Sequence, residues 1–133
     1  MPRTAFSIAL ALTLATSAAA AQARSAFAED VAFFERVSLG TVEITPIGVV
    51  RDQRCADPRF CFRTNDMRIS VILHDRRIPR EVVLPLGQAV EIPGGYLLLR
   101  DPGTRPRQRG ALRLTDYALD IEFIARPQNE RGF

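Results

Sequence analysis

The sequence predicts an all-β fold, a small antiparallel sandwich or partly open barrel of about six to eight strands closed by one disulfide. Three observations predict it. From Leu39 onward apolar residues recur at every second position. Gly or Pro punctuates that pattern about every ten residues, the spacing of short strands joined by turns. The two cysteines of the chain, Cys55 and Cys61, enclose a loop of only five residues.

The elements follow in order. Residues 1–23 carry one cation at Arg3, an apolar run and small residues ending in Ala21-Gln22-Ala23, the three-part pattern of a secretory signal peptide. The apolar run, residues 5–15, is too short to span a bilayer, which takes about 20 residues. Export to the periplasm or the medium is therefore expected, with membrane contact only through the transient signal. Residues 24–38 read as an N-terminal extension, where Phe27, Val31 and Phe34 at helical spacing behind Ser25 suggest a short helix. Residues 39–126 read as the β domain, and the polar residues 127–133 as a flexible tail.

Within the β domain, residues 42–50 predict a strand that Pro46 confines to a sheet edge, with a bulge at Gly48. Met67, Ile69, Val71 and Leu73 form an inward row, and Val82, Leu84 and Leu86 continue it. These two strands predict a hairpin through a turn at Asp75-Arg76-Arg77. Pro93-Gly94-Gly95 marks a turn, and the run Tyr96, Leu97, Leu98, Leu99 suggests a strand covered on both faces. Residues 104–110 read as a surface loop, and 111–114 as a short strand. The clearest strand comes last, with Tyr117, Leu119, Ile121, Phe123 and Ala125 on one face and Asp120 and Glu122 on the other.

The chain has 133 residues, and about 110 remain beyond the signal, enough for one modest core. Every basic residue is Arg, and without Arg3 seventeen arginines face fifteen acids. A pI near 9.5 thus reflects a small excess of very basic groups rather than a strong polyanion-binding field. In an exported chain the cysteines read as a disulfide, because the compartment is oxidising. Their C-x5-C spacing matches neither the C-x-x-C of oxidoreductases nor a zinc knuckle. A metal site built from Cys55, Cys61 and the single histidine, His74, would need reduced thiols, so no metal or cofactor is expected.

Two arginine clusters are candidate binding sites. The first surrounds the disulfide loop: Arg54, Arg59 and Arg63, with Phe60 and Phe62 on either side of Cys61. Asp52 and Arg54 flank Cys55 and are expected to form a charged pair that fixes the loop against the sheet. The second cluster is Arg105, Arg107, Arg109 and Arg113, in and after the Pro-bearing loop. It suits an anionic ligand or the acidic face of a partner. That loop lacks aromatic residues for base stacking, which argues against nucleic acid.

No G-x-S-x-G elbow and no phosphate-binding glycine loop occurs. The paired carboxylates Asp120 and Glu122 leave a hydrolase as the weakest reading, since sheet surfaces often carry such pairs opposite arginine. The motif Asp52-Gln53-Arg54-Cys55, with Cys61 after it and a late Gly-Tyr-Leu-Leu-Leu-Arg from Gly95, resembles a family of small exported bacterial proteins and lipoproteins. That family carries an Asp-Ser-Arg-Cys-Pro type motif, a second Cys and a β-rich remainder. The likeness spans residues 39–124, although Ala56 stands where Pro is usual and Phe62-Arg63-Thr64 where Trp-Ala-Gly is common. It implies export and a β fold and transfers no activity. The functional expectation is a non-enzymatic binding module of the cell envelope, with a partner that is an envelope protein or an anionic ligand. The alternative is a secreted hydrolase inhibitor that uses the disulfide loop.

Overall fold

The computed structural model describes residues 24–62, 66–75, 78–106 and 110–127. The signal-like segment, the Asp75-Arg76-Arg77 turn beyond Asp75, Arg63, Arg107, Arg109 and the tail from 128 lie outside the described residues. Eight strands form two four-stranded antiparallel sheets. They are β1 (Ala26–Val31), β2 (Val37–Leu39), β3 (Val42–Asp52), β4 (Met67–His74), β5 (Arg80–Pro85), β6 (Val90–Ile92), β7 (Gly95–Asp101) and β8 (Leu119–Ala125). One sheet has the order β1-β8-β7-β6, the other β2-β3-β4-β5.

Period-two patterning places one row from each strand between the sheets. Ile44, Met67, Ile69, Val71, Leu73 and Leu84 from one sheet meet Leu97, Leu99, Leu119, Ile121 and Phe123 from the other in a single buried cluster. The predicted inward rows are thus the core. At one corner the sheets touch through the Leu86–Leu99 bridge, where the Gly87 amide donates to the Leu99 carbonyl at 2.9 Å. The sheets do not close into a barrel.

Close packing fixes two glycines. A Cβ on Gly95 would lie 2.1 Å from the Ile124 carbonyl oxygen, and one on Gly103 would lie 2.1 Å from that of Ala118. Gly103 also has φ +72°, a left-handed conformation that costs a side chain.

Four expectations are corrected. The suggested helix is β1, paired with β8 from Ala26↔Phe123 to Val31↔Leu119. A bulge between Ala28 and Val31, where Asp30 adopts φ 54°, shifts the alternation by one, so Val31 is buried on the side of Ala26 and Ala28 while Phe27 faces solvent, and the Phe27–Val31 spacing marks no common face. Residues 111–114 form no strand, and a 3-10 turn begins at Leu114. β7 buries Leu97 and Leu99 but leaves Tyr96 and Leu98 only half-buried, so it is covered fully on one face. β3 lies inside its sheet order, yet β2 pairs only Val42–Ile44, so the stretch after Pro46 has β4 alone as its neighbour. Pro46 thus sits where the edge begins, and the ladder shifts register between Pro46 and Gly48 as expected.

Candidate functional site

The strand directions bring four loop ends to one end of the sandwich. β3 finishes there at Asp52, β4 starts at Met67, β7 finishes at Asp101 and β8 starts at Leu119. The disulfide loop and the 102–118 connection are therefore neighbours, although some fifty residues separate them in sequence. Among the described residues, Arg54 of the first candidate cluster thus reaches the loop that carries Arg105 of the second.

At the base of the disulfide loop sits a polar network. Arg54 donates from Nε to Asp52 Oδ1 and from Nη2 to Oδ2, both at 2.8 Å, and from Nη1 to the Thr104 carbonyl at 2.7 Å. The Tyr117 hydroxyl donates to Asp52 Oδ2 at 2.8 Å. Only 11% of the Arg54 side chain and 13% of the Asp52 side chain is exposed. Behind the network, the Tyr117 ring meets Phe33 edge-to-face at 5.6 Å. One arginine thus ties the end of β3 to the loop of the opposite sheet, as the Asp52–Arg54 spacing led one to expect for the loop itself.

The electrostatics follow from this packing. Burial pushes the Asp52 carboxyl up, but hydrogen bonds from Arg54 and Tyr117 outweigh it and hold the group below its ordinary value. The Arg54 guanidinium is raised by its hydrogen bonds to Asp52. Burial, with the hydrogen bond to Asp52, pushes Tyr117 up to about 12. The Arg54 guanidinium is thus engaged by internal acceptors on Asp52 and Thr104.

Beyond this base the loop is closed by the Cys55–Cys61 disulfide, with Cα atoms 5.5 Å apart. The 3-10 turn Pro58–Phe60 lies inside it, capped by Asp57, whose Oδ1 accepts from the Arg59 amide at 3.0 Å. The Asp57 carboxylate also takes both Arg59 Nε at 3.1 Å and Nη2 at 2.9 Å. Through that pairing Asp57 is lowered and Arg59 raised. The Arg59 guanidinium lies over the Phe60 ring at 5.8 Å from its centroid. Phe60 is 67% exposed and Phe62 94% exposed, so both rings flanking Cys61 face solvent.

Arg105 and Arg113 are exposed in the neighbouring loop. Arg105 lines a cleft of about 500 Å³ together with Asp30, Asp101, Thr104 and Asp120. In that cleft the Gly103 amide donates to Asp101 Oδ1 at 2.7 Å and the Asp30 amide to Asp120 Oδ1 at 3.1 Å. Glu122, the second carboxylate of the weak hydrolase reading, is paired with Arg100. His74 is engaged through Nε2 with Thr45 Oγ1 at 2.8 Å, well away from the cysteines at the other end of β4. Among the described residues no group of three or more His, Cys, Asp and Glu is placed to hold a metal ion. None of the described helices is long and apolar enough to cross a membrane.

Sequence reasoning missed Tyr117 and Thr104 as parts of the loop's foundation. Tyr117 read as a core residue of the last strand, and a backbone acceptor such as the Thr104 carbonyl has no signature in side-chain chemistry. No family model, curated protein or solved structure matches this chain.

Proposed function

We propose that this chain is an exported, non-enzymatic interaction module of the cell envelope that docks through its disulfide loop. One observation carries the reading: two aromatic side chains, Phe60 and Phe62, stand in solvent on a loop fastened at both tip and base. Closure by the disulfide holds the tip, and the Asp52–Arg54–Thr104–Tyr117 network holds the base. Exposing two large apolar rings is unfavourable in water, and buried aromatics with arginines beside them are the usual anchors of binding surfaces. A preordered loop then binds without a further ordering cost. The disulfide fits an oxidising compartment, in keeping with a periplasmic or secreted location.

Inhibition of a secreted hydrolase by the same loop fits the geometry less well. Insertion into a cleft calls for an extended segment, whereas the residues before Phe60 form a 3-10 turn.

The test is capture. The exported chain, immobilised and incubated with soluble and membrane fractions of the envelope, should retain material that a Phe60→Ser/Phe62→Ser variant does not. Retention of the same material by both would refute docking through this loop.

A further inference from the structure

We infer that the surface met by this loop is an anionic phospholipid layer, into whose interfacial zone Phe60 and Phe62 insert; the inference rests on the docking reading above. Shape is the first argument. Both rings protrude into solvent, Phe60 67% and Phe62 94% exposed. A protein partner would have to supply two matching pockets, whereas a lipid interface closes around any protruding apolar group without one. Phe62, at 94% exposure, makes almost no contact with its own chain, so its transfer into lipid breaks nothing.

Charge is the second argument. Residues 51–68 contain five arginines and three aspartates. Four of these arginines and all three aspartates are among the described residues, where Arg51 and Arg68 share the single carboxylate of Asp66, at 3.7 and 3.0 Å, which leaves one cation in excess there. Both are about half exposed. Arg59, its side chain 81% exposed, holds a guanidinium against the Phe60 ring, the arrangement in which an aromatic enters the interface while the cation stays at the phosphate level. Arg105, exposed in the neighbouring loop that Arg54 fastens through the Thr104 carbonyl, shares its cleft with Asp30, Asp101 and Asp120 and so is not part of the positive excess. Guanidinium forks suit phosphodiester oxygens.

The test is cosedimentation of the exported chain with vesicles of phosphatidylglycerol mixed with phosphatidylcholine, against vesicles of phosphatidylcholine alone. Binding should favour the anionic vesicles and fall as NaCl rises from about 0.1 to about 0.5 M. The Phe60→Ser/Phe62→Ser variant should bind roughly tenfold more weakly or worse, since it forfeits the burial of two rings. Arg51→Gln/Arg68→Gln should lose roughly fivefold per cation on anionic vesicles alone. Phe60 and Phe62 are largely in solvent and Arg51 and Arg68 about half exposed, so a cooperative thermal unfolding transition checks that each variant is folded. Equal binding to both kinds of vesicle, or equal binding by the Phe variant, overturns the inference. If vesicles are not bound while Phe-dependent capture of envelope proteins persists, the lipid assignment falls and docking through the loop stands. If capture is also independent of the two rings, both fall.

Discussion

Asp52→Asn is the sharpest perturbation of the loop's foundation, because it keeps the shape of the side chain and removes one charge and one acceptor. In the folded chain Asp52 accepts both Nε and Nη2 of Arg54 and the Tyr117 hydroxyl, all at 2.8 Å. An amide has one oxygen to offer, and its NH2 must face either an Arg54 N–H or the position shared by Arg54 Nη2 and Tyr117. One guanidinium donor then loses its partner, and the cation, nearly buried, loses its counter-charge. A hydrogen bond to a charged group is worth about 1.5–3 kcal/mol, and breaking a buried pair costs about 3–5 kcal/mol. Arg54 keeps the Thr104 carbonyl and about a tenth of its surface in water, which places the loss near the lower end, about 3 kcal/mol.

For a domain of this size such a loss lowers the melting temperature by roughly 13 °C. Denaturant unfolding and calorimetry of the two proteins measure it directly. Asp57→Asn serves as the control, since its partner Arg59 is 81% exposed and an asparagine oxygen still caps the 3-10 turn, so the midpoint should move far less than in Asp52→Asn. A double-mutant cycle of Asp52→Asn with Tyr117→Phe should show coupling of about 1 kcal/mol, because the hydroxyl donates to the carboxylate being altered. A loss no larger than that of Asp57→Asn, or zero coupling, would refute the claim that this network holds the loop.

Acid should act through the same group: the folded pKa of Asp52 is depressed, so its stabilisation is complete above the unfolded value of about 3.9 and disappears as pH falls through the lower folded value. Acid unfolding below about pH 4 should therefore be shallower in Asp52→Asn than in the parent. At the other extreme Tyr117 is raised to about 12, so stability should fall as pH climbs from about 10 through 12, and Tyr117→Phe should flatten that limb in a denaturant series at fixed ionic strength. Gly95→Ala would press a methyl against the Ile124 carbonyl in the β7–β8 ladder and should destabilise by about 3 kcal/mol, read from denaturant midpoints; a loss below about 1 kcal/mol would mean the strands part easily. Phe34 holds φ 67° with 67% of its surface exposed, so Phe34→Gly should stabilise by about 0.5–1 kcal/mol, the left-handed penalty less the added chain entropy of glycine; a destabilised variant would show that the ring contributes contacts of its own.

What could be read in the sequence was what is encoded locally. The rows Met67-Ile69-Val71-Leu73 and Tyr117-Leu119-Ile121-Phe123 alternate without interruption, and a strand with unbroken parity reveals its inner face. The Asp52–Arg54 pair was legible too, because two residues apart in a tight loop a carboxylate and a guanidinium can hardly avoid each other. β1 was not. Its inward residues Ala26 and Ala28 are small, and the bulge at Asp30 turns Val31 to their side, away from exposed Phe27, so no unbroken alternation shows in the sequence. The partners that complete the site, Thr104 at fifty positions and Tyr117 at sixty-five, depend on how β7 and β8 return beside β3, and no local pattern specifies that return.

The placement of polar groups at the loop base bears on what the loop is for. A hydrophobic plug could have closed this end of the sandwich with equal or greater stability, since buried ion pairs are often no better than well-packed apolar residues. What an ion pair adds is direction: a planar guanidinium accepts only one arrangement of Asp52, Thr104 and itself, so the chain leaving β3 can depart at only one angle. That angle determines where the disulfide sits, and the disulfide determines that Phe60 and Phe62 both face outward. Stability alone would not require two such constraints on a loop whose two rings, Phe60 and Phe62, stand in solvent. Orientation of the tip does require them, because the disulfide can close the loop without aiming it and the arginine can aim it without closing it.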